Sequence, residues 1–78
     1  MRVKYDQSVD ILRVLLNNEA IDDSDEIAPG LIVDYDAAGK IVGFEILDAS
    51  TAVDNPLVVQ LEVAGADPRN VPGPLVGV

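Results

Sequence analysis

The chain has 78 residues with neither cysteine nor histidine, which excludes disulfide bonds and the thiolate or imidazole ligands of most zinc sites. Its 14 acidic and five basic residues give a net charge of −9. The basic residues form no cluster of the kind that binds a phosphate backbone, so the composition argues against a nucleic-acid-binding protein.

The N-terminal segment has the pattern of a strand followed by an ambiguous element. Side chains over Arg2–Asp6 alternate between apolar and polar, which predicts a strand with one wet face. Residues 11–16 fit a strand, but a helix in which Leu12 and Leu16 align behind Ser8 as N-cap is the alternative. The short connector after the first strand favours a β-hairpin.

The stretch from 30 to 50 is the centre of the predicted fold. Two apolar runs flank Asp36-Ala37-Ala38-Gly39, where Asp starts a turn and Gly accepts a positive φ. This pattern predicts a hairpin of strands Leu31–Tyr35 and Ile41–Leu47. The segment Glu26-Ile27-Ala28, which follows an acidic stretch, is expected to add a short edge pairing.

Both faces of this hairpin are largely apolar. Pairing of Asp36 with Lys40 would place Tyr35 opposite Ile41, Val33 opposite Gly43 and Ile32 opposite Phe44. The two predicted faces are then Ile32, Asp34, Val42, Phe44 and Ile46 on one side, and Leu31, Val33, Tyr35, Ile41, Glu45 and Leu47 on the other. A sheet that is wet on one side alternates more cleanly, so each face needs a cover, either the C-terminal segment or a second subunit. The candidate interface residues are Leu31, Val33, Tyr35, Ile41 and Leu47.

The C-terminal third is less regular. The alternation and β-branched content of Leu57–Val63 favour a last strand over a short helix that starts at Asn55-Pro56. Residues 65–78 are rich in Pro and Gly, which predicts an extended or poorly ordered tail. We therefore expect one β-meander domain over residues 1–64.

Clustered carboxylates are the remaining candidates for chemistry. Asp34 and Asp36 with Asp6 and Asp10 are the residues of a hypothetical Mg²⁺ or Ca²⁺ site. Asp6, Asp34, Asp36 and Glu45 are the residues that a small acidic enzyme or metal-dependent binder would use. However, Asp36 fits a turn former, and Glu45 fits a partner of Arg13 or Lys4 across the sheet. No histidine is present to activate a serine, so we predict no catalytic, cofactor or metal residues and do not expect an enzyme.

Several stretches of the first fifty residues resemble a known family. They are Val3-Lys4-Tyr5-Asp6, Asp10, Leu12, Leu16, Glu26, Gly30, Ile32-Val33-Asp34-Tyr35-Asp36, Gly39, Ile41-Val42-Gly43 and Glu45-Ile46-Leu47-Asp48-Ala49-Ser50. Together they resemble the YuzE-like family of small bacterial proteins, defined by domain of unknown function 2283. The resemblance implies an antiparallel meander and no assigned activity. Because members occur beside genes of small toxin-like proteins, it also implies an antitoxin-like or partner-binding role. After Ser50 the chain departs from the family, whose members often turn basic and helical there.

These observations predict a mainly β protein with an antiparallel β-meander of four to five strands and little helix, with a β-rich α+β fold as the alternative. The expected function is a small acidic protein-interaction module, an antitoxin-like partner of a basic protein, that forms a homodimer. The alternative is an acidic metal-dependent binder or enzyme. No apolar run is long enough for a membrane span and no signal peptide is evident, so a cytoplasmic location is expected.

Overall fold

A computed structural model describes residues 1–65 of the chain. Its elements are β1 (Arg2–Asp6), β2 (Ile11–Leu15), β3 (Asp23–Ala28), β4 (Leu31–Tyr35), β5 (Ile41–Leu47) and α1 (Ala49–Ala52). The five strands form one antiparallel sheet. The predicted mainly β fold with little helix is confirmed, and residues 11–15 are a strand rather than a helix.

The sheet consists of two locally paired units joined at one seam. Its strand order is β1-β2-β5-β4-β3, so β1 and β2 form one hairpin while β3, β4 and β5 form a meander. The two units meet where β2 pairs with β5, with Val14 opposite Phe44. The strands therefore leave sequence order at one point, because the chain after β2 crosses to the far edge and returns through β4 to β5.

The turn between β4 and β5 has the predicted structure. The Asp36 Oδ1 atom accepts hydrogen bonds from the Ala38 and Lys40 backbone N–H groups, each at 2.9 Å. The Asp36 N–H donates to the Lys40 carbonyl at 2.8 Å, and Gly39 has φ 79°. The Asp side chain and the left-handed Gly thus close the hairpin as their residue types favour.

The predicted register of this hairpin is wrong beyond its first pair. Tyr35 lies opposite Ile41 as expected, but Val33 lies opposite Phe44 and Ile32 lies opposite Glu45. The cause is a β-bulge between Asp34 and Tyr35, where β5 contains one extra residue, Val42. A one-residue shift exchanges the faces of all side chains beyond it.

The pairing and the alternation of side chains define two faces of the sheet. The apolar face carries Val3, Tyr5, Leu12, Val14, Leu31, Val33, Phe44 and Ile46. The opposite face, here called the mixed face, carries Arg2, Lys4, Asp6, Ile11, Arg13, Leu15, Ser24, Glu26, Ile32, Asp34, Gly43, Glu45 and Leu47. Within residues 1–65 only three apolar residues are fully buried, namely Val33, Val42 and Ala49.

The segment after β5 differs from the prediction. Residues 49–52 form the short helix α1, which the sequence pattern did not indicate. The predicted strand Leu57–Val63 is wrong, as is its helical alternative, because these residues form no regular element. Pro56, Leu57 and Val59 instead line a pocket with Val3, Tyr5 and Leu12. The segment crosses over the apolar face and does not run beside an edge strand, so no ladder of backbone hydrogen bonds forms.

The boundary of the predicted domain at residue 64 stays a prediction. Apart from Gly65, the predicted tail 65–78 lies outside the described residues. The one helix within residues 1–65 has four residues, far fewer than a helical membrane span requires.

Candidate functional site

Charge is divided unevenly across the mixed face. Three of the five basic residues of the chain, Arg2, Lys4 and Arg13, lie on β1 and β2. The acidic residues Asp34 and Glu45 lie on β4 and β5 of the same face. The half formed by β1 and β2 therefore has three basic residues and one acidic residue, Asp6 at the end of β1, whereas the half formed by β4 and β5 is acidic. Ile11, Leu15, Ile32 and Leu47 are the apolar part of this face.

Arg13 and Glu45 mark the boundary between the two halves. They are direct partners in the β2–β5 register, and the Arg13 Nε atom lies 3.6 Å from Glu45 Oε1. The predicted pairing of Glu45 with Arg13 is confirmed. Because both side chains remain partly exposed, at 39% and 26%, the pair contributes little to stability by itself.

Asp34 is the buried charge of this face. Its residue exposure is 4%, and its Oδ1 atom accepts a hydrogen bond from the Ser24 hydroxyl at 2.6 Å. The Oδ2 atom has no hydrogen-bond partner. Burial of a carboxylate oxygen without a hydrogen-bond partner costs free energy, so the Oδ2 atom of Asp34 destabilises the single chain.

Gly43 leaves space on the mixed face between Asp34 and Leu15. Gly43 lies between them in the register, opposite Leu15 of β2 and Asp34 of β4. The Leu15 Cδ2 atom lies 3.3 Å from the position of a hypothetical Gly43 Cβ. The leucine side chain thus extends over the glycine on the side of the sheet that carries Asp34.

A second polar constellation lies at the end of the β1–β2 hairpin. The Asp10 carboxylate accepts hydrogen bonds from the Tyr5 hydroxyl at 2.6 Å, the Ser50 N–H at 2.9 Å and the Ser50 hydroxyl at 2.6 Å. The Asp10 carbonyl also accepts from the Ala49 N–H at 3.0 Å. We call this group the Asp10 clamp, and it fastens the start of α1 to the first hairpin.

The clamp shifts the proton affinities of its members. The Ser50 hydroxyl, followed by the Tyr5 hydroxyl, stabilises the Asp10 carboxylate and lowers its pKa below the usual 3.8. The same bond, from the side of the donor, raises the pKa of Tyr5 above 10.0. Asp6 also has a lowered pKa, chiefly because the Ser8 hydroxyl donates to it.

Substitution Asp10→Asn is expected to lower the melting temperature at pH 7 by about 5–10 °C, because charge-assisted bonds to Ser50 and Tyr5 are lost. Asn tolerates the left-handed backbone of Asp10, with φ 55°, so the change tests the charge. Since the folded pKa is lowered, the carboxylate stabilises the fold above pH 3.8 and the contribution disappears as the pH falls through the folded pKa.

Melting temperatures measured by circular dichroism between pH 7 and pH 2 test this expectation. The variant should lose less stability on acidification than the wild type, although the titration of Asp6 remains. Asp48→Asn is the matched control, because Asp48 also has a left-handed backbone but its side chain makes no capping bond. Equal acid sensitivity of wild type and Asp10→Asn would contradict the assignment.

The hypothetical metal ligands do not meet. Asp6 bonds to Ser8 at the first hairpin turn, Asp36 forms the second turn, Glu45 pairs with Arg13, and Asp34 bonds to Ser24. No three acidic side chains in the described part of the chain are grouped so that they could hold a metal ion.

The five predicted interface residues do not share one face. Leu31, Val33 and Tyr35 follow the alternation of the apolar face, whereas Leu47 lies on the mixed face opposite Ile11. Ile41 lies at the bulge and is 49% exposed. The bulge is the reason for this difference, and a role of these residues in an interface stays a prediction.

Sequence reasoning missed the Asp10 clamp and the division of charge. The clamp joins positions 40 residues apart, and the only hints of it were Asp10 and the ending Asp48-Ala49-Ser50 among the residues that resemble the family. The basic half depends on the pairing of β1 with β2, which places Lys4 beside Arg13. That proximity follows from the register and not from neighbouring positions in the sequence.

Comparison with known proteins gives one match. A family model described as protein of unknown function (DUF2283) matches residues 2–50, the stretch from β1 to the Ser50 of the clamp. No curated protein and no solved structure matches the chain. The match covers well over half of the sequence and confirms the resemblance noted in the first fifty residues, so the chain belongs to the DUF2283 family of proteins of unknown function.

Proposed function

We propose that this chain is a non-enzymatic protein-interaction module. The observation that carries the proposal is the incomplete covering of the sheet. Stable domains usually pack at least two layers around a core, whereas here only Val33, Val42 and Ala49 are fully buried within residues 1–65. A second protein surface is the natural source of the missing layer.

The exposure of apolar side chains supports the same conclusion. The segment that lies over the apolar face leaves Leu57 and Val59 at 69% and 57% exposure. On the other side, the apolar residues Ile11, Leu15, Ile32 and Leu47 of the mixed face are only half-buried.

The finer proposal is a basic partner, in an antitoxin-like relationship. The net charge of −9 favours association with a basic protein. The edge strand β3 carries Asp23, Asp25 and Glu26, and all of its residues are exposed. An edge strand has one row of backbone groups free for pairing, so β3 presents both hydrogen-bonding groups and negative charge.

Affinity capture from the source cell tests the basic partner. The wild-type chain should retain a basic protein at low salt and release it at higher salt. The triple variant Asp23→Asn, Asp25→Asn, Glu26→Gln should lose this protein. The matched control is Asp48→Asn, Asp54→Asn, Glu62→Gln, which changes the net charge equally at exposed positions away from β3. Capture of no basic protein, or equal loss in both variants, would contradict the proposed β3 site.

A further inference from the structure

We propose that the mixed face binds the mixed face of a second copy, in a dimer whose two-fold axis runs along the strands between β2 and β5. The charge pattern of the mixed face is the basis of this inference. It identifies a second copy of the chain as the cover of the mixed face in the interaction module proposed above, and it rests on that proposal.

The separated charges select the direction of the axis. When two identical sheets meet face to face, their two-fold axis lies in the plane between them. An axis across the strands would place β1 over the β1 of the partner, with Arg2 and Lys4 against their own copies. An axis along the strands reverses the strand order, so that the basic half of each copy covers the acidic half of the other.

The position of the axis follows from the register. With the axis between β2 and β5, β2 covers the β5 of the partner and β1 covers the β4 of the partner. Each row across the sheet then faces the same row of the other copy in reverse order. The facing pairs, each between one copy and the other, are Arg13 with Glu45, Arg2 with Asp34, Leu15 with Gly43, Ile11 with Leu47, and Lys4 with Ile32.

This arrangement brings charged partners near two polar atoms that have no hydrogen-bond partner in the single sheet. The Asp34 Oδ2 and Arg13 Nε atoms are buried without a hydrogen-bond partner. In the dimer, Arg2 of one copy approaches the Asp34 region of the other, and Arg13 gains a second carboxylate. The strand β3 lies outside the facing strands, so the acidic edge stays available for another protein.

Cysteine cross-linking tests the geometry directly, because the native chain has no cysteine. Lys4→Cys and Ile32→Cys are prepared as separate single variants, then mixed, unfolded and refolded together. A short bifunctional thiol reagent should yield covalent dimers in about half of the mixed sample, the statistical share of mixed pairs. Neither variant alone should be cross-linked efficiently.

The alternative arrangements give different patterns. Efficient cross-linking of Lys4→Cys with itself would show that β1 covers β1 and would overturn the proposed axis. A dimer that forms no mixed cross-link would overturn the mixed face as the interface. A chain that light scattering finds monomeric at every concentration would overturn the dimer, while capture of a basic protein by the β3 edge would still support the proposed function.

Charge exchange provides a second test. Arg13→Glu should raise the dimer dissociation constant at least tenfold, because position 13 of each copy then carries a negative charge opposite Glu45 of the other copy. The double variant Arg13→Glu, Glu45→Arg restores opposite charges within the chain and across the interface, and it should dimerise like the wild type. Circular dichroism checks that each variant is folded. An unchanged dissociation constant for a folded Arg13→Glu variant would contradict the proposal.

Discussion

Substitution Gly43→Ala is expected to destabilise the fold by about 3 kcal/mol or more, since it forces overpacking against backbone atoms. A Cβ at this position would overlap the Val14 carbonyl oxygen and lie 3.3 Å from the Leu15 Cα atom. Neither backbone atom can move without disturbing the β2–β5 ladder. For a domain of this size the free energy of unfolding is roughly 4–12 kcal/mol, so the variant should be largely unfolded or should melt at least about 10 °C lower.

Gly39→Ala is the matched control for this experiment. Gly39 has φ 79° but no atom within 4 Å of a hypothetical Cβ, so alanine there meets backbone strain without a steric clash. Its cost should be about 1 kcal/mol. Urea denaturation of both variants measures the difference in the free energy of unfolding. A Gly43→Ala variant as stable as Gly39→Ala would show that the backbone of β2 does not lie as close to Gly43 as described.

Truncation of Val42 is expected to have the second largest effect. Val42 is 1% exposed and is the largest fully buried side chain in residues 1–65. Val42→Ala removes two methyl groups from a core with few other members, which should cost about 2 kcal/mol and lower the melting temperature by about 10 °C. Thermal unfolding followed by circular dichroism measures this loss.

Ile41, the residue before Val42, is the control that makes this test specific for the bulge. Ile41 is 49% exposed, so Ile41→Ala should cost less than about 1 kcal/mol although it removes more atoms. If Ile41→Ala destabilised the chain more than Val42→Ala, the assignment of Val42 as the buried extra residue of β5 would be wrong.

Features fixed by short-range chemistry were predictable from the sequence. The turn at Asp36–Gly39 follows from an Asp that accepts backbone hydrogen bonds and a Gly that adopts a positive φ. The bounds of β1 follow from alternation of polar and apolar residues, and those of β4 and β5 follow from apolar runs between turn formers. Residues 11–15 form a strand, as the short connector after β1 favoured.

Features fixed by distant partners were not predictable. Pairing of β2 with β5 joins Val14 to Phe44, and no local pattern states that β5 should lie between β2 and β4. The bulge at Val42 depends on the strand opposite. The strand predicted over Leu57–Val63 had the correct residue types, but the chain brings no partner strand beside it. The two halves of the mixed face likewise exist only after the strands are assembled.

The seam between β2 and β5 also determines when the protein can fold during its synthesis. The first hairpin is complete once residue 15 has been made, yet β2 remains an open edge until Gly43 and its neighbours emerge from the ribosome about 30 residues later. Closure of such a long loop is slow compared with hairpin formation. The nascent chain must therefore keep β2 as an unpaired, partly apolar strand in solution until β5 has been made. The hydrogen bonds from Ser50 to the Asp10 carboxylate can stabilise the paired sheet only after Ser50 has been added.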